Sequence, residues 1–216
     1  MTGLPLLQIV GTNVVVPTLQ RTPKPRSLPR SGILRASELT ALGVSRTAIG
    51  RMTEAGALER VGRGLYVPKG AKVTEHHSLA EASKRVPHGI VCLLSALAFH
   101  GMGTQSPHEV WLAIDVKARK PAEGEGVPLH IVRFSGRART FGVEEHVIEG
   151  VAVQVTSRAK TVADCFKYRE KLGLDVALEA LKAYLGKRGR SMDALLEAGA
   201  VCRVANVMRP YIEALS

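Results

Sequence analysis

Cysteine is scarce in this sequence, and its three copies, Cys92, Cys165 and Cys202, lie far apart inside apolar stretches. An odd number of isolated cysteines gives no disulfide framework and is typical of a reducing compartment. The seven histidines lack the H-x-x-x-H spacing of a metal-binding helix, and no cysteine pair accompanies them. We therefore expect no metal site.

Long hydrophobic runs are also missing. The longest, from Ile90 to Phe99, is shorter than the roughly 20 residues that span a bilayer. No basic segment precedes the first apolar residues, so we expect no signal peptide. The glycine-rich phosphate loop and the G-x-S-x-G nucleophile motif are absent as well. These absences favour a cytoplasmic, non-enzymatic protein that uses no cofactor and meets no membrane.

Acidic residues are fewer than basic ones. The sequence has 19 Asp and Glu against 30 Lys and Arg, which gives a net charge of +11. The excess is concentrated at the N-terminal end, where residues 1–75 hold 11 basic and 4 acidic side chains. A basic balance of this size indicates a polyanion as partner. A solvated basic surface without a partner is the alternative.

Two short helices are predicted around a glycine turn. The apolar spacing of residues 36–42 predicts a helix that ends at Gly43. Ser45 can then cap a second helix by accepting a hydrogen bond from an amide of its first turn. That helix has one apolar side, which includes Ile49. Helix, tight turn and capped helix together predict a helix-turn-helix.

A β-hairpin is predicted directly after the helices. From residue 58 to residue 67 the apolar side chains recur at nearly every second position, around the turn Gly62-Arg63-Gly64. This places an arginine at the tip of the hairpin. The order of elements is that of a winged-helix DNA reader.

These residues resemble the N-terminal domain of AbiEi-family antitoxins and related transcriptional regulators, and the resemblance covers roughly residues 32 to 215. Its N-terminal motifs are Gly43-Val44-Ser45-Arg46, Gly56-Ala57-Leu58 and Arg60 to Tyr66. Its C-terminal motifs are Leu94-Ser95-Ala96-Leu97, His100-Gly101 and Ala159-Lys160-Thr161-Val162-Ala163-Asp164.

The resemblance implies a non-enzymatic repressor of its own promoter that is also the antitoxin of a type IV toxin–antitoxin system. Its partners would be double-stranded DNA, as an inverted-repeat operator, and a nucleotidyltransferase-like toxin neutralised without a stable complex. Two alternatives stay open. One is a stand-alone winged-helix regulator whose C-terminal domain senses a ligand or dimerises. The other is an enzyme that uses the winged helix for targeting.

The DNA contacts follow from the docking of a helix-turn-helix, whose second helix presents its first residues to base edges. The arginines of the hairpin would reach phosphates or a neighbouring minor groove. We therefore expect contacts from Ser45, Arg46, Thr47, Gly50, Arg51, Arg60 and Arg63. The alternative is a solvated helix face in a winged helix that contacts protein.

Three regions are expected along the chain. Residues 1–31 are a basic, proline-rich arm or linker, residues 32–75 the winged helix-turn-helix, and residues 76–216 an α+β domain with an antiparallel or mixed sheet. In the last region we expect a buried helix from Ile90 to His100, four later strands and several further helices. A capping box at Ser78 and Glu81 predicts the start of an earlier helix.

A basic helix is predicted after the last strand. Lys160 and Asp164 are four residues apart and should form an ion pair. The basic side chains of this segment would form either a solvated surface or the surface used in antitoxin action: Arg158, Lys160, Lys167 and Arg169.

Overall fold

The computed structural model describes residues 32–122 and 124–215, which form two β-sheets and the helices around them. The predicted α+β class is therefore confirmed. The arm or linker predicted for residues 1–31 lies outside the described residues.

The N-terminal unit contains the helices and the hairpin predicted for it. Gly43 has a φ of 89°, which few other residues adopt, so the turn between the helices needs a glycine. Ser45 Oγ accepts a hydrogen bond from Ala48 N at 3.2 Å and caps the second helix. The elements are β1 (Leu34–Arg35), α1 (Ala36–Ala41), α2 (Arg46–Glu54), β2 (Leu58–Gly62) and β3 (Leu65–Pro68), and the strands form an antiparallel sheet in the order β1-β3-β2.

The C-terminal part is built on a mixed sheet in the order β6-β5-β4-β8-β7, in which the β5–β6 and β4–β8 pairs are parallel. Its strands are β4 (Ile90–Val91), β5 (Val110–Asp115), β6 (Leu129–Phe134), β7 (Val143–Ile148) and β8 (Val151–Thr156). Its helices are α3 (His77–Arg85), α4 (Leu93–His100), α5 (Arg137–Thr140), α6 (Arg158–Lys167), α7 (Arg169–Leu172), α8 (Leu174–Gly186), α9 (Met192–Val201) and α10 (Ala205–Leu215). The four strands predicted for this part are confirmed.

The helix predicted from Ile90 to His100 begins later than expected. Ile90 and Val91 form β4, the central strand of the sheet, and α4 begins at Leu93. A short run that is apolar on every side fits a buried strand as well as a buried helix. The prediction was wrong for the first three residues because both neighbours of β4 lie far away in sequence.

The predicted capping box at Ser78 and Glu81 is also wrong. The cap residue of α3 is His76, two residues before the predicted cap, and the helix begins at His77. The Glu81 carboxylate instead accepts a hydrogen bond from Val127 N at 2.7 Å. Glu81 therefore holds residues 124–128 of the loop between β5 and β6 against α3.

Two large apolar clusters cover the two faces of the five-stranded sheet. One contains α4, α6, α8, α9 and α10, with Phe134, Phe166 and Leu181 buried in it. The other packs Ile33 and Val67 of the N-terminal unit together with Leu79 of α3. The second cluster therefore includes residues from both sides of the domain boundary expected at residue 75.

Candidate nucleic-acid interface

One face of α2 is open to solvent. Ile49, on the opposite face, is buried with Leu39, Val44 and Leu58 in a small core of its own. The exposed face follows from the helical spacing, since positions 46, 47, 50 and 51 recur on one side of the helix. It carries the four helix residues that the sequence predicts for DNA contact, and the predicted cap residue is exposed beside them: Arg46, Thr47, Gly50 and Arg51, with Ser45 as the cap.

The arginines of this face have no side-chain partner among residues 32–122 and 124–215. Within the described part of the chain, the guanidinium groups of Arg46 and Arg51 form no hydrogen bond and no ion pair. As far as the described residues go, all donors of both groups are available to an external acceptor. Arginine donors in this geometry suit guanine edges and phosphates.

Gly50 occupies the middle of the exposed face. A Cβ atom placed there would meet no heavy atom within 4 Å, so packing does not require a glycine. Glycine inside a helix destabilises it by about 1 kcal/mol relative to alanine. The missing side chain leaves the backbone open to close approach by another molecule.

The two arginines of the hairpin differ, because one is exposed at the turn and the other is bound in an ion pair. Arg63 is exposed in the turn between β2 and β3, where Gly64 has a φ of 71°. Arg60 Nη2 lies 2.9 Å from Glu125 Oε2, and Arg60 Nε donates to Gly62 O at 3.3 Å. Arg63 therefore lies at the tip as predicted, whereas Arg60 is bound to the loop of residues 116–128.

The helix-turn-helix is anchored to α3 through α1. Lys84 Nζ lies 2.5 Å from Glu38 Oε1, and the Arg35 guanidinium donates to Lys84 O. Glu38 Oε2 also accepts from Arg35 N at 2.7 Å. Burial opposes ionisation of Glu38, but the hydrogen bonds from Lys84 and Arg35 outweigh it and lower the pKa of the carboxyl. Sequence reasoning missed Lys84, because no local pattern links residues 46 positions apart.

The basic residues of the C-terminal segment do not form one surface. Arg158 and Lys167 are exposed, but they lie at opposite ends of α6, about 14 Å apart along its axis. Arg169 is half-buried and donates from Nη1 to Phe166 O at 3.0 Å. Their charges are therefore spread over the molecule rather than concentrated.

Lys160 is not a surface residue, so its assignment to the antitoxin surface is wrong. Its side chain is 0% exposed, and Nζ binds both carboxylate oxygens of Asp164, with Oδ2 at 2.6 Å. Cys202 Sγ donates to Asp164 Oδ1 at 3.3 Å, and Nζ lies 4.5 Å from the centre of the Phe134 ring. Burial raises the pKa of Asp164, and the Lys160 ammonium opposes that shift. The predicted ion pair is confirmed, but it lies in the core.

Residues 32–122 and 124–215 offer neither a metal ligand set nor a membrane-spanning helix. In these residues no three His, Cys, Asp or Glu side chains come together as a metal ligand set. No helix in the same residues has the length and the apolar character to cross a membrane. The three cysteines are free and buried.

Comparison with known proteins gives both a structural and a sequence relationship. The chain resembles the crystal structure of the RV2827C protein from Mycobacterium tuberculosis, with 14% identity and a TM-score of 0.48 over 85% of this chain and 76% of that chain. No curated protein matches the sequence. The model of the transcriptional regulator family called AbiEi antitoxin matches residues 28–69, which contain the helix-turn-helix and the hairpin. The resemblance of this segment to the AbiEi antitoxin and regulator family is thereby confirmed.

Proposed function

We propose that this protein is a winged-helix transcriptional repressor of its own promoter and the antitoxin of a type IV toxin–antitoxin system. The match of residues 28–69 supports a role as regulator or antitoxin. The observation that carries the DNA-binding part is the exposed face of α2, where Arg46 and Arg51 flank the bare backbone of Gly50. In this proposal α2 enters the major groove, and the protein is not an enzyme.

The proposed contacts divide into two kinds. Arg46, Thr47 and Arg51 would read base edges, with Gly50 allowing the helix backbone to come close. Arg63 would contact a phosphate or the adjacent minor groove, which contributes affinity without sequence preference. Ser45 caps α2 and holds its first turn in place. Arg60 would join these contacts only after release from Glu125.

The regulatory role is tested with a reporter gene behind the promoter of this protein's own reading frame. We expect the wild-type protein to repress the reporter and to protect an inverted repeat in a footprint. A variant with Arg46→Ala and Arg51→Ala should lose both activities. The matched control is Arg209→Ala, which removes an exposed arginine of α10 that has no partner in the described part of the chain. Repression that survives the double substitution would refute the assignment of α2.

The antitoxin role has a separate test. The protein is expressed together with the product of the neighbouring reading frame, which the proposal requires to be a nucleotidyltransferase-like toxin, and growth is measured. We expect rescue by the wild-type protein and by the variant with Arg46→Ala and Arg51→Ala, because neutralisation would use other residues than operator binding. We expect no stable complex of the two proteins on a sizing column. Failure of every form to rescue growth would refute the antitoxin role and leave a stand-alone regulator.

A further inference from the structure

A cavity of about 430 Å³ lies between the end of α3, the end of β5 and α5. Its volume falls in the range of small-molecule sites. Much of its wall is apolar, and most of the charged side chains in the lining are arginines. The lining residues that matter are Val86, Ile114, Asp115, Arg119, Pro121 and Arg139.

Arg139 is incompletely bonded in this cavity. Its Nε is buried and has no hydrogen-bond partner among the described residues. The nearest carboxylate oxygen, Asp115 Oδ2, lies 3.9 Å from Nε, and Nη2 makes only a long hydrogen bond of 3.5 Å to His88 O. A buried donor without an acceptor destabilises the protein unless another molecule supplies one. The Nε and Nη2 atoms form the edge of arginine that binds carboxylate or phosphate in two parallel hydrogen bonds.

Two further arginines line the cavity and differ in their availability. Arg119 is exposed and has no partner in the described part of the chain. Arg85 is already occupied, because Nη1 donates to Val127 O at 2.7 Å and Nη2 to Ala122 O at 3.1 Å. Arg139 and Arg119 are therefore the groups available to an anion, while Arg85 fixes the loop of residues 116–128 that borders the cavity.

We propose that this cavity binds a small organic anion, in which an apolar body fills the space beside Val86, Ile114 and Pro121. The carboxylate or phosphate of that molecule is bound by Arg139, with Arg119 as the second partner. Asp115 lies in the same lining and repels the anionic group, and the two arginines together outweigh this single charge.

The position of the cavity connects it to the DNA-binding unit. Its loop carries Glu125, which binds Arg60 of the hairpin at 2.9 Å. Its helix α3 carries Lys84, which binds Glu38 of α1 at 2.5 Å. A ligand that moves either wall therefore changes the anchoring of the hairpin or of α1. This consequence rests on the proposed function, whereas binding of the anion does not.

Binding is tested by nuclear magnetic resonance of the full chain with labelled arginine side chains and isoleucine methyl groups. The probes are benzoate, phenyl phosphate and benzyl alcohol, which share an aromatic body and differ in the charged group. We expect a saturable shift of the Arg139 Nε–H signal and of the Ile114 methyl signal with one or both anions. The stronger of the two anions identifies the preferred group. Benzyl alcohol should bind at least tenfold more weakly.

The residue assignment is tested by substitution. Arg139→Gln should weaken anion binding at least tenfold, as measured at the Ile114 methyl. The matched control is Arg137→Gln on the same helix, since Arg137 is exposed and pairs with Glu197 at 2.7 Å outside the cavity. If Arg139→Gln does not fold, Arg119→Gln in the exposed loop should still weaken binding several-fold. No saturable shift, equal binding of benzyl alcohol, or equal losses in the Arg137 and Arg139 variants would each overturn the proposal.

The connection to DNA is measured separately, as promoter affinity with and without the saturating anion. We expect a change of at least threefold in the wild-type protein and none in Arg139→Gln. Anion binding without a change in promoter affinity would refute the connection and leave the site. If the protein does not bind its promoter at all, the proposed function is refuted, and the anion titration still tests the proposed site.

Discussion

Arg60 of the hairpin and Glu125 of the loop of residues 116–128 form an ion pair with Nη2 and Oε2 2.9 Å apart. This contact joins two segments 65 positions apart in sequence and occupies an arginine that the hairpin pattern assigns to DNA. Both side chains are about half-exposed, so the pair is weak and can exchange for a phosphate.

Glu125→Gln should therefore release Arg60 to DNA. We expect tighter binding to all duplexes, with the slope of log affinity against log salt steeper by about one unit, because one more phosphate contact releases its counterion. The control Glu145→Gln removes the same charge from an exposed position on β7. An equal change in both variants would mean that the effect comes from the net charge of the protein and not from the release of Arg60.

Two substitutions at Gly50 should affect the stability of the protein and its affinity for DNA in different ways. Gly50→Ala should raise the free energy of unfolding by about 1 kcal/mol, because alanine favours the helix and has room here. Gly50→Gln should fold as well as the wild type but lose promoter affinity, since its side chain keeps α2 away from the groove. Urea unfolding and fluorescence anisotropy measure the two effects. Full promoter affinity of Gly50→Gln would mean that this face does not approach DNA.

The contribution of the buried ion pair of Lys160 and Asp164 to stability can be measured with a double-mutant cycle. Lys160→Met should destabilise the protein by about 3–5 kcal/mol, because it leaves a carboxylate in the core without its partner. Asp164→Leu in the same chain should recover much of this loss, since no unpaired charge remains. Chemical denaturation of the single and double variants provides the test. If the double variant is as unstable as the sum of both single variants, the pair is not the source of the loss.

The environment of the Glu149 carboxylate leads us to expect that the folded protein loses stability in acid. Its carboxylate accepts from Thr74 N at 2.7 Å and Thr74 Oγ1 at 2.9 Å, and it lies 2.7 Å from His77 Nδ1. Burial opposes ionisation, but these hydrogen bonds outweigh it and lower the pKa below the ordinary 4.5. The unfolded chain then binds the proton more tightly, so the stabilisation is complete above about pH 4.5 and disappears as the pH falls through the lowered pKa.

Unfolding of the wild type and of Glu149→Gln over the acid range measures this contribution. The stability difference between them should be largest near neutral pH and should shrink in acid. A difference that does not change with pH would show that the Glu149 charge is not responsible.

Local sequence signals predicted the N-terminal unit well. Three features of this unit depend on residues that are neighbours in sequence, so the local pattern is enough to predict them: the turn at Gly43, the cap at Ser45 and the tip at Arg63. The strands β5 to β8 were predicted for the same reason, because each has its own apolar or β-branched run.

Long-range packing could not be predicted in this way. The contacts of Glu38 with Lys84 and of Arg60 with Glu125 depend on the tertiary arrangement. Lys160 was misassigned because lysine is rarely buried. A signal was present, however, since apolar residues surround it on every side of α6, including Ala159, Val162 and Cys165.

The most direct test of the account is the discrimination of Arg46→Ala between DNA sequences. Affinity is measured for the promoter duplex and for a scrambled duplex of the same length, at fixed salt, with Arg209→Ala as the control. The account predicts a loss of about 1–3 kcal/mol on the promoter and little change on the scrambled duplex, because a base contact is lost. Arg209→Ala should leave the ratio of the two affinities unchanged. Equal losses on both duplexes for Arg46→Ala would reduce the residue to a phosphate contact and contradict sequence reading by α2.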